Sequence, residues 1–274
     1  MKFVTVNLTI LMILLSGCST LPAAQGITTS AATHTYVLRG SGTPTVVLES
    51  GLADGKESWV PIYDAVAQFA QVLAYDRAGY GASRSSNRSR DGATIVRELR
   101  ATLQALELPP PYVLVGHSIG GTYMELFART YPDEVAGVVL VDSRHADFTR
   151  QCEAAGARSC RPPALLAALL QGAPKRELED GELTMHEVLR AEPFPDVPLS
   201  VLTRGKATKD DELFYSVWLE TQKSLAAQTT KSTHTVCELC GHYIHKDNPE
   251  LVITAVREMV DQVRPGILTG KREL

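Results

Sequence analysis

A chain of 274 residues, 44% of them hydrophobic, is long and apolar enough to fill the core of one large domain, which excludes disorder as its overall state. Its formal net charge of -4, with Lys and Arg scattered, excludes the clustered basic footprint of a nucleic-acid binder. A small-molecule partner is the expectation.

The first eighteen residues, MKFVTVNLTILMILLSGC, pass from a Lys-bearing start through an apolar stretch to small residues, the pattern of an export signal. The stretch from Phe3 to Leu15 is shorter than the roughly 20 apolar residues a spanning helix needs. Leu15-Ser16-Gly17-Cys18 resembles the bacterial lipobox, and that resemblance implies cleavage before Cys18 and lipidation of its thiol. Export and lipid anchoring to the cell envelope would follow. Ser19 in place of the Asp that commonly marks inner-membrane retention implies the outer membrane, in a host that has one. Residues 19–33, STLPAAQGITTSAAT, are small, polar and aperiodic, as suits a flexible tether, so the folded domain is expected to begin near His34.

TYVLRG (35–40) and TPTVVLES (43–50) read as two strands joined by a Gly-containing turn. WVPIYDAVAQF (59–69) has helical spacing and QVLAYD (71–76) is a short apolar strand. ATIVRELRATLQALEL (93–108) sets Ile95, Leu99, Leu103 and Leu106 on one face of a helix. YVLVGH (112–117), a helix from about Ile119 to Arg129, and EVAGVVLVD (134–142) follow. Continuous apolar strands alternating with helices indicate an α/β fold, a mostly parallel sheet with helices on both faces.

Residues 143–196 interrupt that rhythm with two cysteines, several prolines and an apolar piece, ALLAALL, and read as a cap inserted between core segments 34–142 and 197–274. Its PPALLAALL stretch would form an apolar wall for substrate or pack the cap onto the sheet. VPLSVLTRG (197–205) resumes the strands, 211–228 reads as a helix, and 233–245 as a strand end and loop. The last helix has Pro249 in its first turn, where a missing N–H is harmless.

Between predicted strand and predicted helix lies Gly116-His117-Ser118-Ile119-Gly120, a G-x-S-x-G nucleophile elbow in its required context. A serine on such a turn has a strained backbone, and flanking glycines avoid collisions. Gly121 allows close packing of helix on strand, and the N–H groups of the helix start face developing negative charge.

With these residues the chain resembles the α/β-hydrolase superfamily, serine esterases and lipases among them, from about residue 35 to 265. TVVLESGLADGKESW is similar to the strand and loop that supply the first oxyanion donor. AYDRAGYGASR resembles the Asp-x-x-Gly-x-Gly-x-Ser turn through Asp76, Gly79, Gly81 and Ser83. CGHYIHKDNPELV resembles the Gly-His loop before the last helix. The resemblance implies Ser118 as nucleophile, His242 as general base, and the backbone N–H groups of Leu52 and Ile119 as oxyanion hole. It also implies hydrolysis of a carboxylic ester through an acyl-enzyme, without cofactor or metal. Ser50 stands where many relatives carry His, a departure that alters the shape of the hole. Other acyl transfers and carbon–carbon hydrolysis could use the same residues, and a binding lipoprotein that merely retains the fold is the rival of another class.

For the acid that orients His242, relatives offer two positions, Asp142 at the end of the strand before the cap and Asp210 or Asp211 after the strand that follows it. Asp142 ends an apolar strand one along from Ser118 and needs a partner there, whereas RGKATKDDE is polar, and its acids suit a solvated helix start. Asp142 is the expected acid. Beyond the cytoplasm Cys152, Cys160, Cys237 and Cys240 suggest disulfides, with three pairings open and sequence neighbours favoured. In Cys237-x-x-Cys240-x-His242-x-x-His245 one residue separates the two pairs, where zinc sites usually have a long loop, so a staple beside His242 is expected and no metal. His245 reads as structural, and His145 as a hinge or surface residue at the entrance of the cap.

Overall fold

The computed structural model describes residues 20–206 and 212–269. The expected export signal with Cys18, and the candidate acids Asp210 and Asp211, lie outside the described residues. The strands are β1 (Gln25–Thr28), β2 (Thr33–Arg39), β3 (Thr45–Glu49), β4 (Gln71–Asp76), β5 (Tyr112–His117), β6 (Val135–Val141), β7 (Leu199–Arg204) and β8 (Ser232–Cys237). They form one sheet in the order β1-β2-β4-β3-β5-β6-β7-β8. Strands from β4 to β8 in that order run parallel, and β2 and β1 add an antiparallel edge.

The helices are α1 (Val60–Val66), α2 (Gly92–Ala105), α3 (Ile119–Thr130), α4 (Phe148–Ala154), α5 (Ala164–Leu169), α6 (Gly172–Glu179), α7 (Gly181–Arg190), α8 (Glu212–Ala226), α9 (Ile244–Asp247) and α10 (Pro249–Thr269). None of the described helices is long and apolar enough to cross a membrane. Side chains of the central strands alternate between two cores, as the period of two requires. Leu73, Leu114, Val138 and Leu140 pack under α2, α3 and α8, while Val72, Val113, Val139 and Val141 meet α1 and α10. On α2 the expected stripe is buried at Ile95, Leu99 and Leu103. The Asp91 side chain caps this helix by accepting the Thr94 N–H at 2.7 Å. The cap is worth about 1 kcal/mol, and each buried aliphatic side chain roughly 1.5–3 kcal/mol, so packing dominates the helix's stability.

The sheet register fixes where chemistry can occur. Glu49 lies beside Gly116, His117 beside Val141, and Val141 beside Leu202. The chain therefore leaves β3, β5 and β6 at one edge, which brings Gly51, Ser118 and Asp142 to the same end of the sheet. The Asp76 turn is locked there too. Asp76 accepts from Lys56 Nζ at 2.7 Å and Thr35 Oγ1 at 2.8 Å, and Ser83 Oγ donates to its carbonyl at 2.8 Å.

Two expectations are corrected. Residues 19–33 are not a tether throughout: β1 pairs with β2 in a hairpin, Thr29 N–H donating to the Ala32 carbonyl at 2.8 Å, so the domain already includes Gln25. An edge strand with mostly exposed side chains has no apolar alternation to announce it. Second, the PPALLAALL stretch meets its expectation only in part: Pro162 lines the cavity beside Ser118, whereas Leu165 and Leu169 are 74% and 69% exposed and belong to neither the cavity nor the core.

Candidate active site

The link from β5 to α3 turns on Ser118, which adopts φ 56° and ψ -125°. Such a conformation costs a non-glycine residue roughly 1–3 kcal/mol and persists only where its surroundings over-determine it. Here Ser118 N donates to the Val141 carbonyl at 3.2 Å, while its own carbonyl accepts Gly121 N at 3.0 Å and Arg144 N at 3.1 Å. A Cβ on Gly116 would stand 2.6 Å from the Gly120 carbonyl oxygen, and one on Gly120 would stand 2.5 Å from the carbonyl oxygens of Glu49 and Ser50. The missing side chains thus let the elbow rest directly on the end of β3.

Ser118 Oγ lies 3.0 Å from His242 Nε2, and His242 Nδ1 lies 2.6 Å from Asp142 Oδ2. Since Nδ1 faces a carboxylate it bears the proton, which leaves the Nε2 lone pair for the Ser118 hydroxyl. Asp142 is completely buried, with φ 44°, a left-handed conformation that Asp and Asn tolerate better than other residues. Its second oxygen, Oδ1, accepts Trp218 Nε1–H at 2.8 Å and the Arg204 backbone N–H at 3.1 Å. Both oxygens are therefore engaged and the carboxylate cannot rotate.

The His242 loop is held at several points. Disulfides join the sequence neighbours, Cys152 to Cys160 and Cys237 to Cys240. The second closes the turn before His242 and occupies both sulfurs that a zinc site would need. Gly241 N donates to Asp247 Oδ2 at 2.6 Å, and His117 Nε2 donates to the His242 carbonyl at 2.9 Å. Burial, with the neighbouring His242 second, pushes the His117 pKa down to about 3, so it stays the neutral donor this contact needs. His245 is fully buried against Trp59 and 3.0 Å from Ser58 Oγ, a packing role. His145 Nδ1 accepts the Asp147 N–H at 3.0 Å and shapes the entrance turn.

Arg77, which the sequence reading did not single out, organises the loop after β3. It is buried, and its Nη1 donates to Glu49 Oε1 at 2.5 Å and to the Ser50 carbonyl at 2.7 Å. Nη2 donates to the Gly51 carbonyl at 2.8 Å, and Nε and Nη2 form a fork on Glu177 of α6, both at 3.0 Å. Tyr80 Oη donates to Glu177 at 2.6 Å, and Tyr75 Oη to Glu49. Burial, partly offset by Arg77, raises the Glu49 pKa. In a trans peptide the carbonyl and the next N–H point in opposite directions. Arg77, by holding the Gly51 carbonyl, turns the Leu52 N–H away from itself. The available signal was a Glu closing the apolar strand VVLE, where an unpaired charge is untenable.

A cavity of about 350 Å³ opens beside Ser118, lined by Leu52, Ile119, Arg144, Thr149 and Met185 among others. Glu177, Glu182, Arg161 and Pro162, from the helical segment between β6 and β7, complete its wall. The sheet order, the elbow and the Ser-His-Asp line define a hydrolase-type α/β protein. A family model for the alpha/beta hydrolase fold matches residues 44–165. The uncharacterized protein YqjL of Bacillus subtilis is 27% identical over 242 residues, 83% of this chain and 88% of that protein. A putative carbamate hydrolase, RutD of Azorhizobium caulinodans, is 32% identical over 119 residues, 43% of this chain and 44% of its own. A thermophilic esterase from Thermogutta terrifontis shares the fold at TM-score 0.66 and 21% identity, covering 88% of this chain and 99% of that one. A putative lipase from Acinetobacter baumannii does so at TM-score 0.65 and 18% identity, covering 89% and 92%. The chain thus has the α/β-hydrolase fold, and its residues 44–165 match the model of that family.

Proposed function

We propose that this chain is a serine hydrolase that cleaves carboxylic esters through an acyl-enzyme on Ser118. The observation supporting this reading is the unbroken line from Asp142 through His242 to Ser118, beside a cavity of about 350 Å³. In the proposed course His242 Nε2 takes the hydroxyl proton as Ser118 Oγ attacks the ester carbonyl. The tetrahedral oxyanion lies between the N–H groups of Leu52 and Ile119. The latter is the first residue of α3, so its N–H has no intrahelical acceptor, and the helix dipole favours negative charge there. His242 then protonates the leaving alcohol, and afterwards activates the water that releases the acid. Asp142 holds the imidazole in the required tautomer and stabilises its charged form.

Labelling by a fluorophosphonate probe and hydrolysis of p-nitrophenyl esters of graded chain length test the reading, with Ser118→Ala as control. Labelling and turnover lost in Ser118→Ala support it; a wild type that neither labels nor turns over overturns it. An N-alkyl carbamate of p-nitrophenol belongs in the same panel, given the relative named for carbamates. Membrane attachment through Cys18 is proposed as well, on the Leu15-Ser16-Gly17-Cys18 pattern. A Cys18→Ser chain that leaves the membrane fraction of an exporting host supports it, and one that stays contradicts it.

A further inference from the structure

Four charged side chains line the cavity beside Ser118: Arg144, Arg161, Glu177 and Glu182. Three are neutralised by named partners. Glu177 receives Arg77 and Arg90, and Arg161 pairs with Glu182 at 2.8 Å and with Glu153 at 2.7 Å. Arg144 is the exception. Among the described residues no carboxylate lies within ion-pair distance of it, and its guanidinium makes one hydrogen bond, from Nη2 to Thr149 Oγ1 at 2.6 Å.

The side chain is nevertheless well fixed. Its backbone N–H donates to the Ser118 carbonyl at 3.1 Å, and its carbonyl accepts Thr122 Oγ1 at 2.7 Å, so both flanking peptides are held against the elbow. Its guanidinium carbon stands 5.3 Å from the centre of the Phe148 ring, which is buried and packed edge-on to Phe214 and Trp218. Thr149, its hydrogen-bond partner, also lines the cavity. A guanidinium offers five N–H donors in a planar fork suited to a carboxylate. Burial pushes the Arg144 pKa down; Glu182 attracts Arg144 from beyond ion-pair distance but is itself held by Arg161, which repels Arg144. A partly buried cation with four donors unused among the described residues and no carboxylate in direct contact is costly by itself. An anionic group entering the cavity would remove that cost. Among the remaining lining residues, Leu52, Ile119, Leu178 and Met185 give the cavity apolar surface for carbon atoms between that group and the reacting carbonyl.

Resting on the ester-hydrolase reading, we propose that Arg144 and Thr149 form an anion-binding subsite, and that the substrates are esters bearing a carboxylate a few carbon atoms from the scissile bond. Arg144 acts as a specificity-determining residue, taking the substrate carboxylate in its fork while Thr149 steadies the guanidinium. The apolar lining accommodates the intervening carbons and disfavours a longer polar spacer.

The test compares charged and neutral esters of matched size. With the charge on the acyl side, the pair is mono-p-nitrophenyl glutarate and p-nitrophenyl valerate. With the charge on the alcohol side, the pair is the butyrate esters of 4-hydroxybenzoate and of phenol. The expected result is a kcat/KM preference for the charged member of at least one pair by about 10- to 100-fold, the range of one charge-assisted hydrogen-bonded contact. Arg144→Gln is expected to bring that ratio to about one, whatever its effect on the neutral ester, and to weaken competitive inhibition by glutarate. Arg144→Lys keeps part of the ratio, and Arg161→Gln keeps most of it. No preference in either pair, with fluorophosphonate labelling intact, overturns the subsite but leaves the hydrolase reading standing. A preference that survives Arg144→Gln, or that Arg161→Gln abolishes instead, also overturns it. Absence of labelling and of all turnover refutes the hydrolase reading itself.

Discussion

Replacing Asp142 by Asn is the sharpest probe of the Ser-His-Asp line, because the surroundings dictate what the amide must do. Oδ1 of Asp142 faces two N–H donors, Trp218 Nε1–H at 2.8 Å and Arg204 N–H at 3.1 Å. The amide oxygen of Asn has to take that place, since the opposite orientation would set an NH2 against both donors. The NH2 then faces His242 Nδ1, now 2.6 Å from Oδ2, and Nδ1 must become an acceptor. The imidazole proton moves to Nε2, where it points at Ser118 Oγ and cannot receive the hydroxyl proton. A wrong-tautomer base of this kind costs about 10⁴ in kcat, or roughly 5.5 kcal/mol of barrier. The left-handed backbone at position 142 suits Asn as well as Asp, so the fold should persist. Steady-state p-nitrophenyl butyrate hydrolysis, the rate of fluorophosphonate labelling and a thermal melt measure the three consequences. An Asp142→Asn protein within tenfold of wild-type kcat would refute the argument, and would turn attention to an acid outside the described residues, Asp210 or Asp211.

Arg77→Lys keeps a positive charge between Glu49 and Glu177 but cannot hold the Ser50 and Gly51 carbonyls as the guanidinium does; kcat should fall by about 10²-fold with KM little changed, as expected when one oxyanion donor is lost. A KM effect of that size with unchanged kcat would show that Arg77 serves substrate binding instead. Acid stability offers an independent check through His34 and His117, whose pKa values burial lowers to about 4 and about 3 from 6.5. Between those values and 6.5 the unfolded chain binds more protons than the fold, so stability is full above pH 6.5 and declines as pH falls toward 4. Each histidine contributes roughly 1.4 kcal/mol per pH unit inside that window. Urea midpoints between pH 7 and 4.5 should show the decline, and His34→Gln should make it shallower by about one proton; an unchanged slope in that variant would contradict the account.

Much of the fold was legible because each central element is specified by neighbouring residues. The apolar runs 71–76 and 112–117 coincide with β4 and β5, and the stripe Ile95, Leu99 and Leu103 fixed the face of α2 before any partner was known. The N-terminal hairpin escaped notice because β1 exposes most of its side chains and leaves no alternation. Leu165 and Leu169 of α5 misled for the opposite reason: an apolar run implies burial, yet both are exposed.

The sequence by itself determined what lies within a few residues: the turn that strains Ser118, the glycines that let it approach β3, and the Gly-His loop before the last helix. Such features depend on backbone conformation and on side chains adjacent in the chain, so a short pattern is enough to specify them. Only the tertiary structure decided what depends on distance. Asp142 meets His242 across 100 residues, and Arg77 meets Glu177 across another 100. His117, adjacent to the serine and unremarked for that reason, holds the carbonyl of His242 across 125. Charge compensation works at 3 Å in space and leaves no periodic trace along the chain. For the same reason the sequence shows an arginine at position 144, and only the fold shows it lining the cavity with no carboxylate of the described residues in ion-pair contact.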